Sequence, residues 1–252
     1  MIGRIIGALL VVAAGLSAQG RFGAPPPTGR PGAVIDITGY WVSIIDEDWR
    51  WRMVTPPKGD YASVPLNPEG KKVADTWNPA KDEAEGNQCK AYGAAGLMRL
   101  PTRLHITWAD DLTLKIETDA GQQTRLFHFN GSKWQGGESQ WQGDSVASWM
   151  KQAQSRGFAP PFGGPTPGKG GALKVVTTHM RPGYLRKNGV PYSGNAVLTE
   201  YFDRIEYDGR PYLILTTVVN DPMYLNDMFT TSEQFKFEPD GAQWKPSPCK
   251  AK

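Results

Sequence analysis

Few residues in this chain can do acid–base or metal chemistry: three histidines, His105, His128 and His179, and two cysteines, Cys89 and Cys249. Each histidine falls within or at the end of an expected β-strand. Side chains alternate along a strand, so His105 shares a face with Arg103 and Thr107, and His128 with Thr124 and Leu126. If all three converged inside a barrel, a metal or haem-like site would be chemically feasible. No pair has short-range ligand spacing, however, and no metal or cofactor is expected. Nucleophilic catalysis has no motif, since Gly-x-Ser-x-Gly is absent. The acidic groups Asp46, Glu47 and Asp48, and Asp110 with Asp111, fall at turns and read as solvated hairpin tips. From Gly163 to Gly168 and Lys169 the spacing is that of a phosphate-binding loop. Gly170 then stands where Ser or Thr should bind magnesium, Pro165 and Pro167 remove backbone donors, and a strand follows instead of a helix, so that chemistry is excluded.

Two aromatic and basic segments are better placed to hold a ligand. In Trp49, Arg50, Trp51 and Arg52 the strict alternation predicts a strand with both indoles on one face. That face would fill a core or form a platform for an apolar or planar molecule. Residues 180–192 form a connection that carries Arg181, Tyr184, Arg186 and Tyr192, with Asn188 and Gly189 as its turn. Such loops carry sites on rigid β scaffolds, and these side chains can take a carboxylate or a sugar, or seal a barrel mouth.

The elements that must position these groups are mostly strands. The chain has 252 residues and is rich in Gly (29), Pro (21) and Trp (9), a mix that suits a turn-rich, aromatic-packed β protein. Short alternating or aromatic runs are expected as strands at 40–44, 49–54, 97–100, 103–108, 113–118, 124–129, 145–149, 173–179, 196–207, 212–220 and 232–238. Asp208 with Gly209 makes a two-residue hairpin turn. Asn67 before Pro68 and Asn78 before Pro79 predict two short helices, the second stopping at Gly86. The fold class is therefore mainly all-β: an antiparallel, barrel-like meander of about 8–11 strands with two short helices.

Residues 1–20 have a basic start, a twelve-residue apolar core and a small-x-small end at Ala18, Gln19 and Gly20, the pattern of a secretory signal. The apolar run is too short to span a bilayer, so no integral membrane segment is expected in the mature chain. Residues 21–34 read as a flexible Pro/Gly linker, 35–252 as one domain, and 150–171 as a mobile insertion. Removing the signal takes one Arg and no acid, so the net charge falls from +3 to +2, with no basic run longer than two; nucleic acid is excluded as a partner. In an oxidising compartment Cys89 and Cys249 most simply form one disulfide. It would close a loop of about 160 residues, for which chain entropy gives roughly 4–5 kcal/mol.

The chain resembles a large group of exported, uncharacterised bacterial proteins. The matching stretches are TGYW at 38–41, EDWRWRM at 47–53, TPPKGDY at 55–61, QCKAYG at 88–93, TRLFHF at 124–129, the run 175–193 containing RPGYLRKNGVPYS, NAVLTEYFD at 195–203 and PSPC at 246–249. They span nearly the whole mature chain. The resemblance implies no activity; it implies that 150–171 is an insertion where relatives have a tight turn. A looser similarity is to lipocalin-like barrels, because Gly39, Tyr40 and Trp41 have the Gly-x-Trp form of their first strand. The expected function is that of an exported protein, periplasmic or extracellular, that binds a small apolar or amphipathic molecule in an aromatic-lined β cavity without catalysis. The residues expected to bind it are Trp49, Trp51, His105, Arg125, His128, His179, Arg181, Tyr184 and Tyr192. Two alternatives stay open: a histidine-dependent hydrolase or isomerase, and a structural or interaction role in the envelope.

Overall fold

In the computed structural model residues 27–151 and 170–252 are described. The expected signal at 1–20, the first part of the expected linker and most of the expected insertion at 150–171 lie outside them; at the ends of that stretch Met150 and Lys151 close one strand and Gly171 opens the next. Period-two alternation dominates. In β2 (Arg103–Asp110) Leu104 and Ile106 are buried while His105 and Thr107 stay partly exposed, and β3 (Thr113–Thr118) buries Leu114, Ile116 and Thr118. The same phase runs through β1 (Gly39–Ile44), β4 (Thr124–His128), β5 (Asp144–Lys151), β6 (Gly171–Thr178), β9 (Val197–Tyr207), β10 (Arg210–Asn220) and β11 (Phe229–Glu238). These nine strands close into a barrel in the order β1-β11-β10-β9-β6-β5-β4-β3-β2. Closure gives every strand of the barrel two neighbours. All neighbours are antiparallel except β4 and β5, which meet in parallel through Phe127 opposite Ser145 and His128 opposite Val146. A separate hairpin, β7 (Gly183–Arg186) and β8 (Val190–Tyr192), packs outside the barrel sheet.

The two expected helices form as α2 (Pro68–Asp75) and α3 (Pro79–Ala84). Asn67 and Asn78 cap them by accepting from the Gly70 and Lys81 backbone N–H groups. Two segments expected as strands are helical instead. Residues 49–54 form α1 (Trp49–Met53), closed by the Trp51 and Arg52 N–H groups donating to Asp48 O. Five residues are too few for alternation to separate a strand from a helix turn. Here the winding lets Arg52 reach inward to the Arg99 carbonyl while Trp49 turns out, 64% exposed. In 97–100, Leu97 ends the buried turn α4 (Ala94–Leu97) and residues 98–100 turn away from it; within α4 Gly96 lets the backbone press against the Tyr184 carbonyl.

Residues 27–34 are also not a free linker. The Arg30 N–H donates to Asp111 O, and the Trp149 indole N–H donates to Gly29 O, which straps this segment across one barrel end. Gly29 has φ +59° and lies so close to the Asp111 carbonyl that a side chain would collide with it. At the other end Cys89 and Cys249 form the expected disulfide, with Cα atoms 5.1 Å apart. The bond fixes the tail beside β3, where Ser247 bridges to Ala120.

Side chains fill the lumen in layers. Trp41, Leu104, Ile106, Ile116, Phe127, Phe202, Leu213 and Phe235 make an apolar mass, each essentially inaccessible to water. Deeper, the inward positions turn polar: Arg125 of β4, Thr177 of β6, Glu200 of β9 and Glu233 of β11 are all buried. Arg125 reaches across to Glu200 in a two-bond pair of 2.7 and 2.6 Å and also donates to Thr177 Oγ1 at 3.2 Å. Both side chains are 0% exposed. Removing one partner of such a pair strands the other charge and costs about 3–5 kcal/mol. Glu200→Gln should therefore lower unfolding free energy by about that amount in urea titrations, while Arg125→Met with Glu200→Leu should recover most of it. A Gln variant within about 1 kcal/mol of the parent would show that the pair does not organise the interior.

Candidate functional site

With the lumen filled, cavities lie at its ends and on its wall. The barrel end crossed by residues 27–38 holds one of about 320 Å³. Register explains its lining. Trp108 and Leu114 face each other where β2 turns into β3, and Trp149 sits near the end of β5 opposite Leu173. Each belongs to the inward-facing set of its strand; Leu114 is the last fully buried core residue there, and Trp108 and Trp149 lie one step beyond it, partly buried. Trp149 stacks on Phe129 (5.3 Å between rings), and Trp108 approaches both, at 5.6 Å from Phe129 and 6.5 Å from Trp149. The crossing segment supplies Ile35 and Ile37, and it is held by the Trp41 indole N–H donating to Ile37 O. Its polar side chains are Arg30, Asp36 and Thr38, with one Asp36 oxygen occupied by the Thr38 backbone and hydroxyl. The result is a concavity of mixed character, in which two indoles and Ile35 sit among polar groups, of the lowest size common for small-molecule sites.

A second cavity of about 280 Å³ lies on the outer wall where β4 and β5 part after their short parallel contact. His128, Lys133, Trp134, Asp144 and His179 line it. Trp134 stacks on His179 at 4.6 Å, and His179 has φ +55°, an uncommon conformation for a residue other than glycine. His179 Nδ1 is 2.8 Å from Thr178 Oγ1, and His128 Nδ1 is 3.5 Å from Thr113 Oγ1. Asp144 accepts from Ser132 Oγ and the Lys133 N–H. His105 is elsewhere, stacked on Tyr40 at 4.2 Å with Nδ1 3.4 Å from Glu117. The three histidines therefore do not converge. Among the described residues no group of three or more His, Cys, Asp and Glu is placed to hold a metal.

The other residues expected at a site are dispersed. Trp49 points to solvent. Trp51 donates to Asp60 Oδ1 and lies under the guanidiniums of Arg50 and Arg186. Arg125 is the buried partner of Glu200. Arg181 is exposed over the Trp141 ring and donates to Asn87 Oδ1. Tyr184 donates to Asp82 Oδ2 at 2.8 Å, and burial followed by that carboxylate pushes its phenol up. Tyr192 seals the closed end, its hydroxyl seated where Gly93 and Gly183 lack side chains, and burial pushes its phenol up as well. Sequence reasoning expected His128 and His179 in the barrel cavity, whereas both line the groove on the outer wall, and it missed Trp108 and Trp149 at the barrel mouth. A signal for them existed: each is an aromatic at a late inward position of its strand, beyond the aliphatic positions.

Burial holds the His128 imidazole below its ordinary 6.5, helped by Lys133 and opposed by Asp144 and Asp110. A histidine depressed in this way binds fewer protons folded than unfolded. Its stability contribution is intact above the unfolded pKa and is lost as pH falls through the folded one. An NMR titration should place the His128 midpoint below 6.5; a midpoint at or above that value would contradict the burial of the ring. Compared with family models, curated proteins and solved structures, the chain matches none.

Proposed function

We propose that this chain is an exported protein that binds a small apolar or amphipathic molecule at the open end of its barrel, without a chemical step. The observation that carries this reading is the 320 Å³ cavity walled by Trp108, Trp149, Leu114, Ile35 and Ile37. A concavity that combines aromatic walls with a small number of placed polar groups is a common form of small-molecule site. Arg30 and the second oxygen of Asp36 offer the polar contacts an amphipathic ligand needs, while its apolar part replaces water against the indoles. Export is supported by the N-terminal sequence pattern and by the Cys89–Cys249 disulfide, which suits an oxidising compartment. No helix among the described residues is long and apolar enough to cross a membrane.

The enzymatic alternative is less well supported. A histidine general base needs a cleft and an orienting partner. His105 has a carboxylate in Glu117 but lies outside both large cavities. His128 and His179 line a groove, yet their hydrogen-bond partners are threonine hydroxyls. Glu200 is committed to Arg125.

An uncharged fluorescent probe such as N-phenyl-1-naphthylamine tests the reading. The intact protein should bind it saturably. Ala33→Trp, which places an indole in the cavity without removing a core side chain, should weaken binding about tenfold or more, near 1.4 kcal/mol. Trp49→Ala, on an exposed face, should leave it unchanged. Equal binding by the Ala33→Trp variant would remove the mouth as the site. Mass spectrometry of protein purified natively from its own host should then identify the molecule retained.

A further inference from the structure

Where β4 and β5 part, the barrel wall opens into the second cavity, about 280 Å³ in volume. Its floor is the outward face of β4. Arg125 and Phe127 point into the lumen, so Thr124, Leu126 and His128 point out, and Leu126 is 43% exposed. The connection from β4 to β5 forms one side through Lys133 and Trp134. Asp144, the first residue of β5, fixes that side. Its two oxygens accept from Ser132 Oγ at 2.6 Å and from the Lys133 N–H at 2.9 Å, and Ser132 Oγ accepts in turn from the Trp134 N–H. The Trp134 ring is then steadied by His179, 4.6 Å away and nearly parallel. The groove thus combines a held indole and an aliphatic floor with polar groups around them.

Several of those polar groups have capacity to spare. Each imidazole meets its threonine through Nδ1, which leaves Nε2 of His128 and of His179 without a partner among the described residues. The same holds for the Trp134 indole N–H, and none of these three atoms is sealed from water. Asp144 engages Lys133 through the backbone, so the ammonium is left over. The groove carries no surplus charge, however. Lys133 is balanced by Asp144, Asp110 adds a second carboxylate acting on His128, and burial keeps His128 neutral at neutral pH. An organic anion therefore finds no excess of cations here, and a hydrocarbon would strand the polar rim. A sugar ring has the matching pattern: C–H groups on its faces, and around its edge hydroxyls that both donate and accept. The volume falls just under the roughly 300 Å³ at which drug-sized sites begin, room for a single sugar unit.

We infer that this groove binds a sugar ring, as a free monosaccharide or as the end unit of a glycan, with its C–H face against Trp134 and Leu126 and its hydroxyls held by His128, His179 and Thr124. The site lies on the outer wall and does not depend on the barrel mouth.

NMR of the histidine ring protons in the intact, oxidised protein tests the inference, because His128 and His179 line the groove while His105 sits apart on Tyr40. The probes are the methyl glycosides of glucose, galactose and mannose, and N-acetylglucosamine, with sorbitol and benzoate as controls. At least one sugar should shift His128 and His179 saturably and leave His105 unmoved. Sorbitol, a polyol without a ring face, and benzoate should each bind at least tenfold more weakly. A disaccharide ending in the sugar that binds should do as well or better if the ligand is a glycan end, and should lose the shift if it is a free monosaccharide. Trp134→Ala should weaken binding about tenfold or more, and Lys133→Gln, which removes only the charge, by less than about threefold. Ala33→Trp, at the mouth, should change nothing here, so failure of the mouth proposal and of this one are separable. In unaltered protein the Trp134 indole N–H resonance should also shift with the sugar, a readout that stands even if Trp134→Ala does not fold. The site is overturned if no sugar shifts both histidines, if sorbitol or benzoate does so equally well, if Lys133→Gln weakens binding as much as Trp134→Ala should, if a folded Trp134→Ala binds the sugar like the parent, or if the indole N–H does not move.

Discussion

A carboxylate and a guanidinium taken out of water each forfeit hydration worth several kcal/mol, and only close pairing with further hydrogen bonds returns it. Glu200 and Arg125 meet that condition inside the barrel: two bonds between them, a third to Thr177, and Ser145 bonded in turn to Thr177. The partners come from β4 and β9, which are not neighbours in the sheet. The pair can therefore form only once β5 and β6 have closed the gap between them. A register slip of one residue in either strand would turn one charge outward and leave the other stranded inside. Barrel closure and strand register are thus coupled through one interaction.

That coupling constrains where anything else can bind. A lumen crossed by an ion pair and packed on its other side by Trp41, Phe127, Phe202 and Phe235 cannot also hold an apolar guest. Open space is left to the ends and the outer wall, and the two ends differ in kind. At one, the inward strand positions finish in Trp108, Leu114 and Trp149, and a crossing segment adds Ile35 and Ile37. At the other, helices and the β7–β8 hairpin bring arginines down onto Glu233 and Asp48. One end thus finishes in aromatic side chains and the other in buried charge.

Much of this was legible in the sequence because closed antiparallel barrels write period two along every strand. The expected runs at 103–108, 113–118 and 212–220 correspond to β2, β3 and β10, and the Asn-Pro pairs mark both α2 and α3. The Cys89–Cys249 bond followed from count and compartment alone. What alternation could not supply was anything decided by tertiary partners. Trp49 to Arg52 alternates like a strand but has no strand beside it, and its winding follows from where Arg52 must reach. Residues 27–34 look like linker because their Gly and Pro carry no period, yet a strap needs only backbone bonds to Asp111 and Trp149. The histidines were the obvious chemical residues, but all three strand positions face outward or lie at a strand end. Outward residues on different strands of a barrel diverge.

The inward charges were the stronger clue. On β9 the buried series Leu198, Glu200 and Phe202 places a carboxylate in apolar phase, and on β11 Thr231, Glu233 and Phe235 does the same. An acid in that phase must find a cation, and the cation must itself be buried. The chain provides Arg125 on a strand for Glu200 and Arg99 from a turn for Glu233. Burial accordingly raises the Glu233 carboxyl, against the pull of Arg99 and Arg52. Glu200 has the two-bond geometry that neutralises a pair fully, whereas Glu233 shares a single bond with an arginine that also serves Asp48. Both oxygens of Glu200 are thus engaged by Arg125, which leaves only its own Nε without a partner. The Glu233 cluster is open, with Arg52 and Arg186 brought beside it and part of their donor capacity left over. The same rule that forces buried acids to recruit arginines explains why surplus donors gather at this end of the barrel and not at the aromatic one.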